Sequence, residues 1–260
     1  MKNCSKTNKR TADRVASVMY TVALFVLILT VSVALPIYFR PFYYLHVDAL
    51  ELDFLSGYSK AEVFEAYNGL MDYLTMPWEE FSVGKMAFSA EGQAHFADCR
   101  VLIVINSILL TVSAVGAAVL KALSKKGRVK LLGFGRFPCE FWAGGAALAT
   151  VLTVGAAVAI DFDAVFEFFH NALFTSRNWV FDWRTDEVIL ILPWRFFRNC
   201  AVLILSSITL LSTVAVTLGV IKRKRSKLEL LTAWIFFCFF RSSFPTYRHC
   251  RYKFQKVGNR

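Results

Sequence analysis

Apolar and polar positions separate the chain into four long apolar runs and the charged segments between them. The runs cover roughly residues 15–39, 101–123, 141–160 and 201–221. Each reaches the ~20 residues a helix needs to cross a hydrocarbon layer about 30 Å thick. The pattern therefore predicts an all-α polytopic membrane protein with four transmembrane helices, and the 40–100 segment is long enough for a small extracellular cap. Inside that segment Ser59-Lys60-Ala61-Glu62 has the form of a capping box, and Val63, Tyr67, Leu70, Met71 and Leu74 follow at helical spacing. Residues 42–55 alternate loosely and read as extended. A helix beginning at Ser89 meets no strong breaker before Leu123; its length of about 52 Å at 1.5 Å per residue exceeds the hydrocarbon thickness. Its first turns, with His95 and Asp98, are expected at the outer interface.

Two polar or small-residue stripes lie within the spans. Gly145, Ala149, Thr153 and Ala157 recur every four residues in the third and are expected to form a packing seam, because small residues let helix backbones approach closely. Ser206, Thr209, Thr213 and Thr217 give the fourth a similar stripe. No span carries a charge at its centre, which argues against an ion or proton pathway. Residues 228–240 are apolar between basic flanks but too short to span, and a helix lying in the inner interface is expected there.

Composition agrees: 56% of the 260 residues are hydrophobic and 19% charged, against roughly 25% charged in soluble domains. Charge then sets orientation. Lys and Arg gather in residues 1–14, 121–137 and from 222 onward, while 16 of the 19 acidic residues lie in 40–100 and 161–198. By the positive-inside rule both termini are cytoplasmic in a multi-pass plasma-membrane protein. The expected order is a cytoplasmic N-terminus (1–14), a first span (15–39), the extracellular cap (40–100), a second span (101–123), a cytoplasmic loop (124–140) and a third span (141–160). An extracellular aromatic-rich segment (161–200), a fourth span (201–221) and a basic cytoplasmic tail (222–260) follow. The net charge of +11 is read as topology determinants that meet anionic lipid, with no nucleic-acid partner, because the basic residues flank spans and are not interleaved with stacking aromatics. The first span is expected to be retained; its apolar core of about 24 residues exceeds the 7–15 of a signal peptide. Six cysteines form no CxxC pair and do not cluster with histidines, so neither a metal site nor a disulfide framework is indicated, although Cys99 and Cys200 both fall near the outer surface.

No hydrolase elbow, P-loop, zinc or kinase motif occurs. What remains is a polar set in aromatic surroundings at one membrane surface. His95 leads into the second span, and His170 follows the third by ten residues. Asp98 stands three after His95 and Glu167 three before His170, a spacing at which a carboxylate could fix a ring tautomer and leave the other nitrogen as a base. Residues 162–197 hold eleven Phe or Trp, together with Asn178-Trp179, Asp182 and Asp186. An apolar pocket open to lipid is indicated, with general acid/base groups and no obvious nucleophile. Activity by such a base should fall as pH drops through the ordinary imidazole pKa of about 6.5. Two readings stay open: a histidine enzyme, or a non-enzymatic four-helix scaffold whose cap binds a partner.

Several stretches narrow the choice. Ala66-Tyr67-Asn68-Gly69-Leu70-Met71-Asp72-Tyr73-Leu74, His95-Phe96-Ala97-Asp98, Phe169-His170-Asn171-Ala172-Leu173-Phe174, Asn178-Trp179-Val180-Phe181-Asp182 and Ile191-Leu192-Pro193 through Phe196-Phe197 resemble the bacterial lipoprotein intramolecular transacylase (Lit) family and its integral-membrane relatives. The resemblance covers about residues 20–221. It departs at Cys99, Trp183 and Trp194, where the family usually has Val, Pro and Glu. The resemblance implies four membrane helices under an extracellular cap and no cofactor, with diacylglyceryl-modified lipoproteins as substrates and membrane lipids as surroundings. The implied acyltransferase activity moves the sn-2 acyl chain to the amine of the lipoprotein's own N-terminal cysteine. Carried over by motif, His95 and His170 would be catalytic. Asp98, Glu167, Asn178, Asp182 and Asp186 are expected to support them, and Tyr67, Tyr73, Phe169, Phe174, Trp179, Phe196 and Phe197 to line the pocket.

Overall fold

The computed structural model describes the backbone of residues 2–174 and 178–243, and the side chains of residues 9–174 and 178–225. The described chain is helical, with one isolated bridge between Phe134 and Phe137. Its elements are α1 (Lys2–Tyr38), α2 (Pro41–Ala49), α3 (Leu52–Ser56), α4 (Lys60–Thr75), α5 (Ala90–Lys125), α6 (Cys139–Ile160), α7 (Phe162–Leu173), α8 (Val188–Ile191) and α9 (Trp194–Ser243). Helices α1, α5, α6 and α9 are long and apolar enough to cross a membrane. They pack as a bundle in which α6 lies along α9 and α1 touches all three others. Exposed Val104, Ile108, Val112, Leu152 and Leu210 cover its outside, as a lipid solvent requires.

The seam within the bundle differs from the expected one. Ala149, Thr153 and Ala157 are exposed, and a Cβ on Gly145 would meet nothing within 4 Å. The close approach is one position away: Ala143, Gly144 and Ala147 are buried, and a Cβ on Gly144 would lie 2.7 Å from the Ser212 carbonyl oxygen of α9. Ser206, Thr209, Thr213 and Thr217 likewise face outward, and Thr209 and Thr213 donate to the carbonyls of Leu205 and Thr209 at 2.8 and 2.7 Å. A hydroxyl satisfied by its own helix can face lipid, so a polar stripe need not mark a contact. The backbone of residues 226–243 continues α9, so the 228–240 stretch extends that helix and is not a separate one. Its side chains, and everything after Ser243, lie outside the described residues.

At the opposite end, α2, α3, α4 and α8 form a cap. The capping box is present: the Ser59 hydroxyl accepts from the Glu62 backbone N–H, and the Glu62 carboxylate accepts from the Ser59 N–H. Such a cap is worth about 1 kcal/mol. The helix it starts buries Val63, Ala66, Tyr67, Leu70, Met71, Tyr73 and Leu74. Residues 42–55, expected to be extended, are instead the short helices α2 and α3. Pro41 occupies the first turn of α2, where its missing N–H costs nothing, and Tyr43 and Val47 are buried one turn apart against α4. Tyr43 stacks on Tyr67 at 3.6 Å between ring centroids, Phe196 meets Tyr43 edge-on at 5.2 Å, and the Tyr43 hydroxyl donates to the Ile191 carbonyl at 2.9 Å. Through Phe196 and Ile191 this core ties the cap to the start of α9.

Candidate functional site

The first turns of α5 stand above its apolar run and carry His95. Their position is fixed from outside the helix. Asp186, buried in the segment before α8, accepts from both the backbone N–H and the hydroxyl of Ser89 at 2.8 Å, and the same hydroxyl caps Gly92 N–H at 2.9 Å. A side chain at position 92 could not be tolerated, since its Cβ would lie 2.1 Å from Asp186 Oδ1. Asp182 builds the turn that presents Asp186: its carbonyl accepts from Thr185 N–H and Asp186 N–H at 3.0 and 2.8 Å. Asp182 and Asp186 therefore hold the helix that carries His95 and do not touch the imidazoles.

The second histidine arrives on α7, capped by Asp161 accepting from Ala164 N–H at 2.9 Å. Its outer face shows Phe168, Phe169 and Leu173; its inner face carries Phe166 and the buried His170. The two imidazoles meet with ring centroids 5.9 Å apart, at 5% and 9% exposure. Aromatic rings enclose them. Phe174 lies 4.8 Å from His95 and 5.6 Å from His170, Phe181 lies 5.4 Å from His95, and Phe166 and Trp179 lie 4.2 and 4.9 Å from His170.

The expected carboxylate partners are arranged differently. His170 Nδ1 lies 2.7 Å from the Phe166 carbonyl oxygen one turn back, while Glu167 is exposed and makes no hydrogen bond among the described residues. Spacing places a side chain at i−3 within reach, but the fixed i−4 carbonyl takes the ring nitrogen instead. A carbonyl only accepts, so Nδ1 carries the hydrogen and Nε2 of the neutral ring keeps a free lone pair. Asp98 is also exposed, and its carboxylate accepts from Asn178 Nδ2 at 3.2 Å. It bears on His95 through that amide and by charge. The Cys99 sulfur, one turn along α5, lies 3.4 Å from His95 Nε2. Both Cys99 and Cys200 are free thiols.

Burial, with a smaller push from the neighbouring His170, lowers the His95 pKa to about 4 against the opposing pull of Asp98 and Asn178. Burial also lowers the pKa of His170, opposed by its bond to the Phe166 carbonyl. Both rings are neutral near pH 7. The threshold for an imidazole base therefore lies below the 6.5 expected from an exposed ring.

Of the expected lining residues, Phe169, Phe174 and Trp179 touch His170, and Phe197 packs on Phe166. Tyr67, Tyr73 and Phe196 do not line the site. Tyr67 and Phe196 belong to the Tyr43 stack, and Tyr73 lies under the Arg100 guanidinium at 4.5 Å. Phe166, Phe181 and Cys99 are at the site without having been singled out for it; their i±4 spacing from His170 and His95, or their place beside Asn178-Trp179, was the available signal. Among the described residues no three His, Cys, Asp or Glu side chains converge as metal ligands.

A four-span helical membrane protein in which two neutral, buried histidines meet beneath a cap is the class these features define. The family model of the lipoprotein intramolecular transacylase Lit matches residues 18–197, and the chain belongs to that family. Its fold is that of the membrane-integral lipoprotein intramolecular transacylase Lit from Bacillus cereus, with a TM-score of 0.75 at 22% identity over 83% of this chain and 98% of that one. A variant of the same protein with one histidine replaced by arginine gives a TM-score of 0.72 at 21% identity, over 88% of this chain and 100% of that one. No curated protein sequence matches the chain significantly.

Proposed function

We propose that the chain moves the sn-2 acyl chain of a diacylglyceryl-cysteine lipoprotein onto the α-amine of its own N-terminal cysteine, giving a lyso-form lipoprotein. The charge distribution supports a cap on the outer side with both termini cytoplasmic. The observation that carries the chemistry is the His170 ring, whose Nδ1 hydrogen is committed to the Phe166 carbonyl 2.7 Å away and whose Nε2 has no partner among the described residues.

The reaction needs no nucleophile from the protein, because the substrate's amine attacks its own ester. The N–C bond forms, the C–O bond to glycerol breaks, and one proton passes from nitrogen to the departing glycerol oxygen. His170 Nε2 takes that proton and returns it to the oxygen. His95, with a pKa near 4, is too weak a base to be protonated near pH 7 and so carries no imidazolium proton to deliver. Its Nε2 faces the Cys99 sulfur at 3.4 Å, and in the tautomer with hydrogen on Nδ1 the ring acts as a hydrogen-bond donor to the leaving oxygen. Holding ester and amine together in a dry aromatic enclosure supplies a further share of the rate, since orientation alone can be worth about 7–11 kcal/mol. The test is mass spectrometry of the lipidated N-terminus of a lipoprotein co-expressed with the chain. One acyl group on the amine and a free glycerol hydroxyl is the expected product; a persistent diacylglyceryl form with a free amine would contradict the proposal and leave the scaffold reading in its place.

A further inference from the structure

Four buried side-chain polar atoms lack a hydrogen-bond partner among the described residues: His95 Nδ1, Asn178 Oδ1, Trp179 Nε1 and Ser212 Oγ. The last lies in α9 within the bundle, but the other three belong to the histidine site. Buried indole N–H groups usually find an acceptor, and leaving one bare costs stability. The Trp179 ring packs 4.9 Å from the His170 ring, and its N–H has no acceptor among the described residues. It differs from its two orphaned neighbours. His95 and Asn178 each have another polar atom engaged, with Cys99 and Asp98 respectively. The indole has one polar atom and no alternative use for it.

Resting on the transacylase reading, we propose that Trp179 is a catalytic residue whose indole N–H donates to the oxyanion of the tetrahedral intermediate. When the substrate amine adds to the ester carbonyl, the negative charge develops on the carbonyl oxygen, and a fixed donor in a water-poor enclosure stabilises it without reorganising. The division of labour is then complete. His170 carries the proton, His95 holds the leaving glycerol oxygen, and Trp179 holds the oxygen that stays with the acyl group. The donor is uncharged, so it leaves the low pKa of His170 undisturbed, which a Lys or Arg beside the ring would also lower but at the cost of a buried charge.

The test uses the full chain in proteoliposomes with a synthetic diacylglyceryl-cysteine lipopeptide, and reads kcat and KM by mass spectrometry. Trp179→Phe keeps an aromatic ring against His170 and removes the N–H. Loss of one oxyanion donor predicts a kcat about 100- to 1,000-fold lower with KM little changed. Because phenylalanine is smaller than tryptophan, a second variant carries 3-benzothienylalanine at 179, which keeps the bicyclic shape and has sulfur in place of N–H; it should show the same loss. A fluorotryptophan at 179, which keeps the N–H, should restore the rate. Near-normal kcat in the benzothienyl variant would overturn the oxyanion role, while product formation by the unmodified chain in the same assay keeps the transacylase reading standing. Absence of product from the unmodified chain would instead remove that reading.

Discussion

The cap core and the histidine site are neighbours built from the same kinds of residue, yet they treat buried polar atoms in opposite ways. In the cap, Tyr43 is fully buried and its hydroxyl has an acceptor, the Ile191 carbonyl at 2.9 Å. The half-buried Tyr58 and Tyr44 also have acceptors, Glu187 at 2.5 Å and Asn68 at 2.7 Å. In the site, His95 Nδ1, Asn178 Oδ1 and Trp179 Nε1 are buried without a hydrogen-bond partner among the described residues. Packing alone does not explain the difference, since aromatic rings surround both regions at similar distances. A cap core is complete in itself, whereas a catalytic enclosure keeps donors and acceptors uncommitted until substrate brings their partners. On the proposed transacylase reading, the bare atoms cost stability and sit where that chemistry would use them.

Substitutions can break this contrast from either side. The largest effect is expected from His95→Phe: it keeps an aromatic ring but removes both ring nitrogens, the one against Cys99 as well as the unpartnered Nδ1, so thermal unfolding should shift little, while lyso-form production should fall by at least about 100-fold. A drop in unfolding temperature with retained activity would reverse the assignment. On the cap side, Tyr43→Phe leaves the Ile191 carbonyl buried without its donor and should cost about 1–3 kcal/mol in denaturation. Its kcat should stay close to that of the unmodified chain. Asp98→Asn should lower kcat by only about tenfold, because Asp98 reaches His95 through the Asn178 amide and by charge. The smallest effect belongs to Thr209→Val, whose hydroxyl is satisfied within its own helix and faces outward; stability should change by less than about 0.5 kcal/mol.

The pH profile sharpens the same comparison. Both histidine pKa values are lowered, so the neutral, active form persists below the pH at which an exposed imidazole would protonate. Initial rates should stay level from pH 8 to below 6.5 and fall only at more acidic values, as protons bind the buried rings. A midpoint at or above 6.5 in the same measurement would mean that the base is solvated.

Much of this architecture was legible in the sequence because its signals are local. The capping box at Ser59 and Glu62, the uninterrupted helix from Ser89 through the second span, and the arrival of His95 and His170 at one level all follow from spacing and length. The misread features depend on which neighbour is present. Small residues line more than one face of α6, and in lipid the unused face is as apolar as the seam, so periodicity could not choose Gly144 over Gly145. Glu167 and Asp98 were placed beside their histidines by residue separation. The Phe166 carbonyl and the Asn178 amide hold the nearer positions, and neither a backbone acceptor nor a loop residue 83 positions from His95 is marked by a local pattern. Tyr67 and Phe196 sit in family-like motifs but serve the cap core, a division that only the Tyr43 stack reveals.

The proposed acyl shift depends most heavily on His95 and His170 acting together. The direct test is a double-mutant comparison, in proteoliposomes, of the unmodified chain with His95→Ala, His170→Ala and the double variant, each shown to be inserted and folded, with acyl position on the lipopeptide read by mass spectrometry. Groups acting as a unit are not additive. Each single variant should abolish transfer to the amine, and the double should be hardly worse than either. Near-normal conversion by both single variants, or losses that simply multiply in the double, would contradict the two-histidine site.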